Sequence, residues 1–203
     1  VIVELRRYTL RPGRRDELIE LFDREFIASQ EALGMAVLGQ FRDLDRPDMF
    51  VWFRGFPDMA ARSRGLREFY GGPVWKQHGP AANATMLDSD DVLLLRATVP
   101  PPASPRDGDD RREAAVVTAT IWYADRPFDE AFAQWFADQD SGAVAVLSTE
   151  YAENDFPALP VREGEHAFVW LTRDGREIDV PARFAVTRTE RLRLTPTTRS
   201  ALY

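Results

Sequence analysis

Phe50-Val51-Trp52 recurs unchanged as Phe168-Val169-Trp170, and the segments ahead of the two copies run in parallel. Arg11-Pro12 leads into Asp16-Glu17 and an apolar-faced helical stretch; Arg126-Pro127 leads into Asp129-Glu130 and another. The spacing from dipeptide to tripeptide differs between the copies by about three residues, a difference that one loop absorbs. The chain therefore reads as two divergent copies of one small α/β unit joined by a linker.

Working outward from the first tripeptide, the first copy reads β-α-β-β-α-β. Residues 1–10 alternate and are rich in β-formers, so they form a strand, which Arg11-Pro12-Gly13 breaks. Leu18, Leu21, Phe22, Phe26 and Leu33 recur at helical spacing, and Gly34 ends that helix. Strands follow over 35–42 and 49–56, joined by a tight turn at Asp45-Arg46-Pro47-Asp48. A helical stretch starts near Pro57-Asp58, is interrupted at Gly71-Gly72, and restarts with Pro73 as its first residue. The strongly apolar segment 92–96 closes the unit. Asp88, Asp90 and Asp91 lack the spacing of a calcium loop and read as a solvated turn.

Residues 98–113 hold Pro100-Pro101-Pro102, Pro105, Gly108 and clustered Asp and Arg, which neither build a core nor continue a sheet. The expected division is thus a unit over 1–97, a linker over 98–113 and a second unit over 114–203. In the second unit, strands are expected over 116–124, 143–151 and 166–171, with Phe132, Trp135 and Phe136 marking a short helix. The stretch from Trp170 to Leu192 is about 19 residues shorter than that from Trp52 to Leu93, and the deficit falls on the second helical region. The second copy is a reduced version that keeps its sheet and first helix. Each two-layer unit leaves one sheet face bare, and two sheets facing each other bury both.

Composition narrows the function. With 44% hydrophobic and 29% charged residues the chain is an ordinary soluble globular protein, and no run approaches a membrane span. Val1-Ile2-Val3 goes straight into a strand without a signal-peptide pattern, and the lack of Met at position 1 implies a short piece upstream. The absence of cysteine removes disulfides and thiolate chemistry and fits a cytoplasmic location. His78 and His166 are the only imidazoles, so no multi-histidine metal centre is expected. A net charge of −7 argues against nucleic acid as a partner. Dinucleotide and phosphate-binding loops and the Gly-x-Ser-x-Gly elbow are all missing.

The first copy resembles the NIPSNAP family, within the dimeric α/β-barrel superfamily of ferredoxin-like units. The resemblance rests on residues 4–13 (Glu-Leu-Arg-Arg-Tyr-Thr-Leu-Arg-Pro-Gly), on the Phe50-Val51-Trp52 strand, and on the run from Phe69 to Arg96 with His78 and Ala82-Asn83-Ala84-Thr85-Met86. The second copy matches only through the internal repeat and lacks the block from Tyr70 to Met86. The resemblance implies an α+β fold: two ferredoxin-like (βαββαβ) units in tandem, their antiparallel sheets facing each other as an intrachain α/β barrel. The second copy then replaces the other subunit of an ordinary dimer, giving a monomeric pseudo-dimer or a homodimer of such chains. Superfamily relatives include cofactor-free oxygenases, isomerases and haem enzymes, so fold alone selects no reaction.

Several residues are candidates for a site. Alternation puts Glu4, Arg6 and Tyr8 on one face of the first strand and Val3 and Leu5 on the other. The apolar face suits the helices, which turns the polar face toward the space between the sheets, where three polar groups can orient a small molecule; a self-satisfied Glu-Arg pair is the structural alternative. Trp52 and Trp170 occupy equivalent positions and would line that interior or simply fill it. Arg54 shares the face of Trp52 and would meet an anionic ligand at the barrel mouth. Trp75 and His78 lie three apart on a helix, and His78 offers a general base, a haem ligand or a plain helix-end residue. Asn83 can orient a carbonyl or cap backbone.

Two functions follow as expectations. One is a cofactor-independent enzyme, an oxygenase or isomerase acting on a hydrophobic or aromatic metabolite, with Tyr8, His78 and Arg6 as catalytic residues and Glu4, Trp52, Arg54, Trp75 and Asn83 binding the ligand. The other is a non-catalytic binder or accessory protein, or a structural barrel acting through protein partners. No cofactor or metal is called for. A tightly filled interior would count against a ligand inside the barrel, and any site is expected once per chain, on the first copy.

Overall fold

The computed structural model describes residues 1–102 and 115–203, so most of the expected linker lies outside the described residues. The strands are β1 (Ile2–Leu10), β2 (Ala36–Asp43), β3 (Met49–Phe56), β4 (Met86–Val99), β5 (Val117–Ala124), β6 (Ala145–Thr149), β7 (His166–Thr172) and β8 (Val186–Pro196). They close into one antiparallel barrel in the order β1-β3-β2-β8-β5-β7-β6-β4. The helices are α1 (Arg15–Leu21), which runs through a π-helical turn at Phe22–Phe26 into α2 (Ile27–Glu31), then α3 (Met59–Gly71), α4 (Pro73–Thr85) and α5 (Glu130–Ala137). Asp58 caps α3 by accepting from the Ala61 N–H at 2.7 Å, and Asp129 caps α5 by accepting from the Phe132 N–H at 2.9 Å.

The repeat is visible in the register. Arg6 lies opposite Trp52 in the β1–β3 pair, and Thr120 lies opposite Trp170 in the β5–β7 pair. The two units are zipped together at two seams. At one, Phe41 lies opposite Pro196 between β2 and β8; at the other, Leu95 lies opposite Thr149 between β4 and β6. A sheet closed in this way has no free edge, which removes the aggregation hazard of an exposed strand.

The barrel interior is filled by side chains. Val3, Leu5 and Phe53 of the first unit meet Ile121, Val169 and Leu171 of the second, all fully buried in one apolar cluster. The faces of β1 are therefore the reverse of the sequence expectation: Val3 and Leu5 point inward, and Tyr8 and Trp52 belong to the layer between the sheet and the helices. The reason is geometric. An eight-stranded barrel has room only for side chains, so an inward ion loses its water and needs a partner across the barrel, as Arg7 has in Asp91 and Glu190; Glu4 and Arg6 would find hydrocarbon there. The outer face instead meets helices that bring polar partners.

The barrel also explains why β4 exceeds its predicted length. Its C-terminal end pairs with β6, Ala97 opposite Leu147 and Val99 opposite Val146, so Thr98 and Val99, expected in the linker, are strand. Its N-terminal end absorbs Asp88 to Asp91, expected as a solvated turn, and Asp91 accepts from Arg7 Nη2 at 2.8 Å. In the second unit β6 is shorter than the expected 143–151, and residues 173–185 cross its outer face with a single turn of 3₁₀ helix, Ala182–Phe184, where the first unit has α3 and α4.

Because both units share one core, Ile121→Ala should lower stability by about 2–4 kcal/mol. Urea unfolding should remain a single transition by circular dichroism and by Trp fluorescence. Two separated transitions would contradict a common core.

Candidate functional site

The outer face of β1 carries a buried ionic cluster. Glu4 Oε2 accepts from Arg6 Nη1 at 2.9 Å and from Arg54 Nε and Nη2 at 3.0 and 2.6 Å; Oε1 accepts from Arg62 Nε at 2.8 Å. All four side chains are at most 1% exposed. Burial alone would push the Glu4 carboxyl up, but Arg54, Arg6 and Arg62 outweigh it and hold the group far below the usual carboxylate range. Arg54 spends its remaining nitrogen on Gln30 Oε1 at 3.0 Å, and Gln30 in turn donates to the Phe26 carbonyl at 2.9 Å. Arg54, expected to meet an anionic ligand, has Glu4 and Gln30 as its partners here, and its guanidinium lies 5.0 Å from the Trp52 ring centroid.

Arg62 ties this cluster to the other unit. Its Nη1 donates to Asp155 Oδ1 at 2.6 Å and to Asn154 Oδ1 at 3.1 Å, both on the loop between β6 and β7. Phe156 of the same loop stacks on Tyr70, centroids 5.9 Å apart. A segment of the second unit thereby covers the first.

Beside the cluster lies a narrow cleft between the sheet and the helices, lined by Tyr8, Trp52, Phe22, Phe26, Tyr70 and Trp75. Its free volume of about 20 Å³ admits one water molecule. Arg6 Nε donates to the Tyr8 hydroxyl at 2.9 Å, so that oxygen acts as an acceptor there while its own proton can be given elsewhere. Burial pushes the Tyr8 phenol above its ordinary value despite the opposing charge of Arg6, and the group keeps its proton at neutral pH. Trp52 Nε1 is buried without an acceptor. The π-helical turn supplies Phe22 and Phe26, and such turns recur at functional sites. Gly79 gives Trp75 its place, since a Cβ there would come within 2.7 Å of the indole.

The other predicted residues lie elsewhere. His78 does not line the cleft; its Nε2 is 3.5 Å from Glu25 Oε2, linking α4 to the π-helical turn. Asn83 is exposed on α4. His166 Nδ1 is 3.0 Å from the Tyr151 hydroxyl. Among the described residues no group of three or more His, Cys, Asp or Glu could hold a metal ion, and no helix is long and apolar enough to cross a membrane.

Residues 3–100 match the NIPSNAP family model. This half of the chain belongs to the NIPSNAP family. A NIPSNAP family protein from Agrobacterium tumefaciens is 23% identical over 48% of this chain and 92% of its own, with a TM-score of 0.44. Two structures cover both units. A candidate monooxygenase from Lactobacillus acidophilus spans 99% of this chain and 97% of its own at 15% identity and a TM-score of 0.60. Another from Fusobacterium nucleatum spans 96% and 91% at 9% identity and a TM-score of 0.64. The last two likenesses show the tandem barrel as a shared fold. No curated protein matches the chain.

Within the NIPSNAP unit, sequence reasoning missed Arg62, Gln30 and the covering loop. Arg62 had a readable signal: it sits on the apolar stripe of α3 with Leu66 and Phe69, where a charged residue requires a buried partner. Nothing in the sequence marks Asp155 as that partner.

Glu4→Gln removes the carboxylate that pairs with three buried guanidinium groups and should cost about 3–5 kcal/mol in urea unfolding at pH 7. Because the Glu4 pKa is lowered on folding, its stabilisation is full above the unfolded value of 4.5 and is lost as pH falls below it. The gap between wild type and variant should therefore narrow at acid pH; a constant gap would contradict an ionised Glu4.

Proposed function

We propose that the NIPSNAP unit binds a small hydrophobic or aromatic metabolite in the cleft between its sheet and helices, with Tyr8 donating its phenolic proton to a ligand oxygen. The observation that carries this reading is the pairing of Tyr8 with Arg6: a phenol fixed by a cation, protonated, and set in an aromatic wall. Aromatic rings supply area and the hydroxyl supplies orientation, the usual division of labour in small-molecule sites. The site lies outside the barrel lumen, which is filled.

Binding is favoured over proton abstraction. Tyr8 holds its proton, Glu4 is ionised and neutralised by three arginines, and His78 faces Glu25 away from the cleft. None of these is a free base beside a bound ligand, as a cofactor-independent oxygenase or isomerase would need. A cleft of water size must open to admit a ligand. The π-helical turn and its Glu25–His78 contact with α4 form the natural place for that motion. Closure of the barrel within one chain favours a monomeric pseudo-dimer.

Native mass spectrometry of the purified chain identifies what it carries. Tyr8→Phe should weaken affinity for that captured molecule about five-fold, the worth of one hydrogen bond, while His78→Ala should change it by less than about two-fold. Consumption of the molecule by wild type, lost in His78→Ala, would overturn the binding reading in favour of catalysis.

A further inference from the structure

The second unit carries a larger opening than the first. At the positions of Glu4, Arg6, Tyr8, Trp52 and Arg54 in the repeat, the β5–β7 pair has Thr118, Thr120, Trp122, Trp170 and Thr172. One tryptophan is kept, an aromatic stays an aromatic, and the three ionic side chains become threonines. Where α3 and α4 cover the first sheet, the segment over residues 173–185 crosses the second more loosely. Between that segment and the sheet lies a cleft of about 360 Å³, walled by Trp122, Trp170, Ile178 and Val180 and floored by Thr120. Its volume falls in the range of ligand sites, whereas the cleft at Tyr8 holds one water.

Three polar atoms on this face are buried and lack a partner: Trp170 Nε1, Thr172 Oγ1 and Arg191 Nε. They are neighbours. Trp170 and Thr172 are two apart on β7, and Thr120 lies opposite Trp170 on one side and opposite Arg191 on the other. Unmatched buried donors are costly, and Trp170 and Arg191 both line this cleft, with Thr172 two residues along β7, which points to a missing acceptor. Charge, in contrast, is already matched: Arg191 is paired with Glu177 and Arg193 with Asp45 at 3.0 Å. Asp179 at the rim further disfavours an anion.

We infer that this cleft is a second ligand site, for a small uncharged planar aromatic molecule bearing a carbonyl oxygen that accepts from Trp170 Nε1–H and Arg191 Nε–H. The ring stacks among Trp122, Ile178 and Val180. The site stands apart from the Tyr8 cleft, on the opposite unit, and does not require it to be occupied.

The test follows the indole N–H signals of the full chain by ¹⁵N-resolved NMR, with the Trp170 signal assigned from Trp170→Phe. Titration with 1-acetonaphthone should move the Trp170 signal downfield and leave Trp52 unmoved, with a dissociation constant below about 1 mM. Trp170→Phe should weaken binding about five-fold, read from Trp122 fluorescence or ligand-observed NMR. Val180→Trp, which fills the cleft but spares the indole N–H, should abolish it and serves if Trp170→Phe does not fold. A Trp170 signal that stays in place would overturn the inference. So would a response confined to Trp52, or equal affinity for 1-ethylnaphthalene, which lacks the oxygen.

Discussion

An eight-stranded barrel has an interior just wide enough for its own side chains, and that constraint governs the rest of this molecule. Inward positions are mostly apolar and must fit their neighbours across the axis; Arg7 is admitted on that face because Asp91 and Glu190 pair with it. Val3 and Leu5 from one unit and Ile121 and Val169 from the other satisfy the constraint together, and neither sheet can do so alone. Alternation along β1 then sends Glu4, Arg6 and Tyr8 outward, toward the helices. The side chains turned outward collect in two outer layers, one per unit.

In the first layer the dominant interaction is Glu4 with Arg6, Arg54 and Arg62. Each ion alone would be expensive to bury, and the cluster persists because both carboxylate oxygens accept from guanidinium groups. Three guanidinium groups exceed one carboxylate. Asp155, brought in from the second unit, offsets part of the excess through Arg62, and the Tyr8 hydroxyl oxygen receives Arg6. The electrostatic requirements of the first unit thus reach across to the second and help set where the loop between β6 and β7 lies.

The strands, their order within each copy and the pairing of the two sheets were legible because the repeat and the period-two pattern are local signals. Asp88 to Asp91 misled, since acidic residues look like a turn unless the distant partner that continues the ladder is known; here β1 supplies it, Arg7 opposite Asp91 and Thr9 opposite Asp88. The site residues divide in the same way. Glu4, Arg6, Tyr8, Trp52 and Arg54 alternate on paired strands, and alternation alone groups them. Which side they face depends on closure of the barrel, a property of the whole chain. His78 and Asn83 drew attention by residue type, yet the rotation of α4 about its axis decides what they touch, and it turns one toward Glu25 and leaves the other exposed.

The two layers differ for one connected reason. Arg62 sits on α3, and the second unit has no counterpart of α3. Had a Glu and two arginines survived at 118, 120 and 172, they would lie buried under a strap that brings no third guanidinium and no Gln30-like acceptor. A broken ionic cluster of that kind is more destabilising than none. Threonine at all three positions avoids the penalty of an unmatched ion, because a hydroxyl costs far less to bury than a charge and is small. Small side chains under a loose strap leave volume, and the retained Trp170 leaves a donor. Loss of a helix, loss of charge and gain of a cleft are therefore one coupled change, made possible because the shared core does not depend on what either outer face carries.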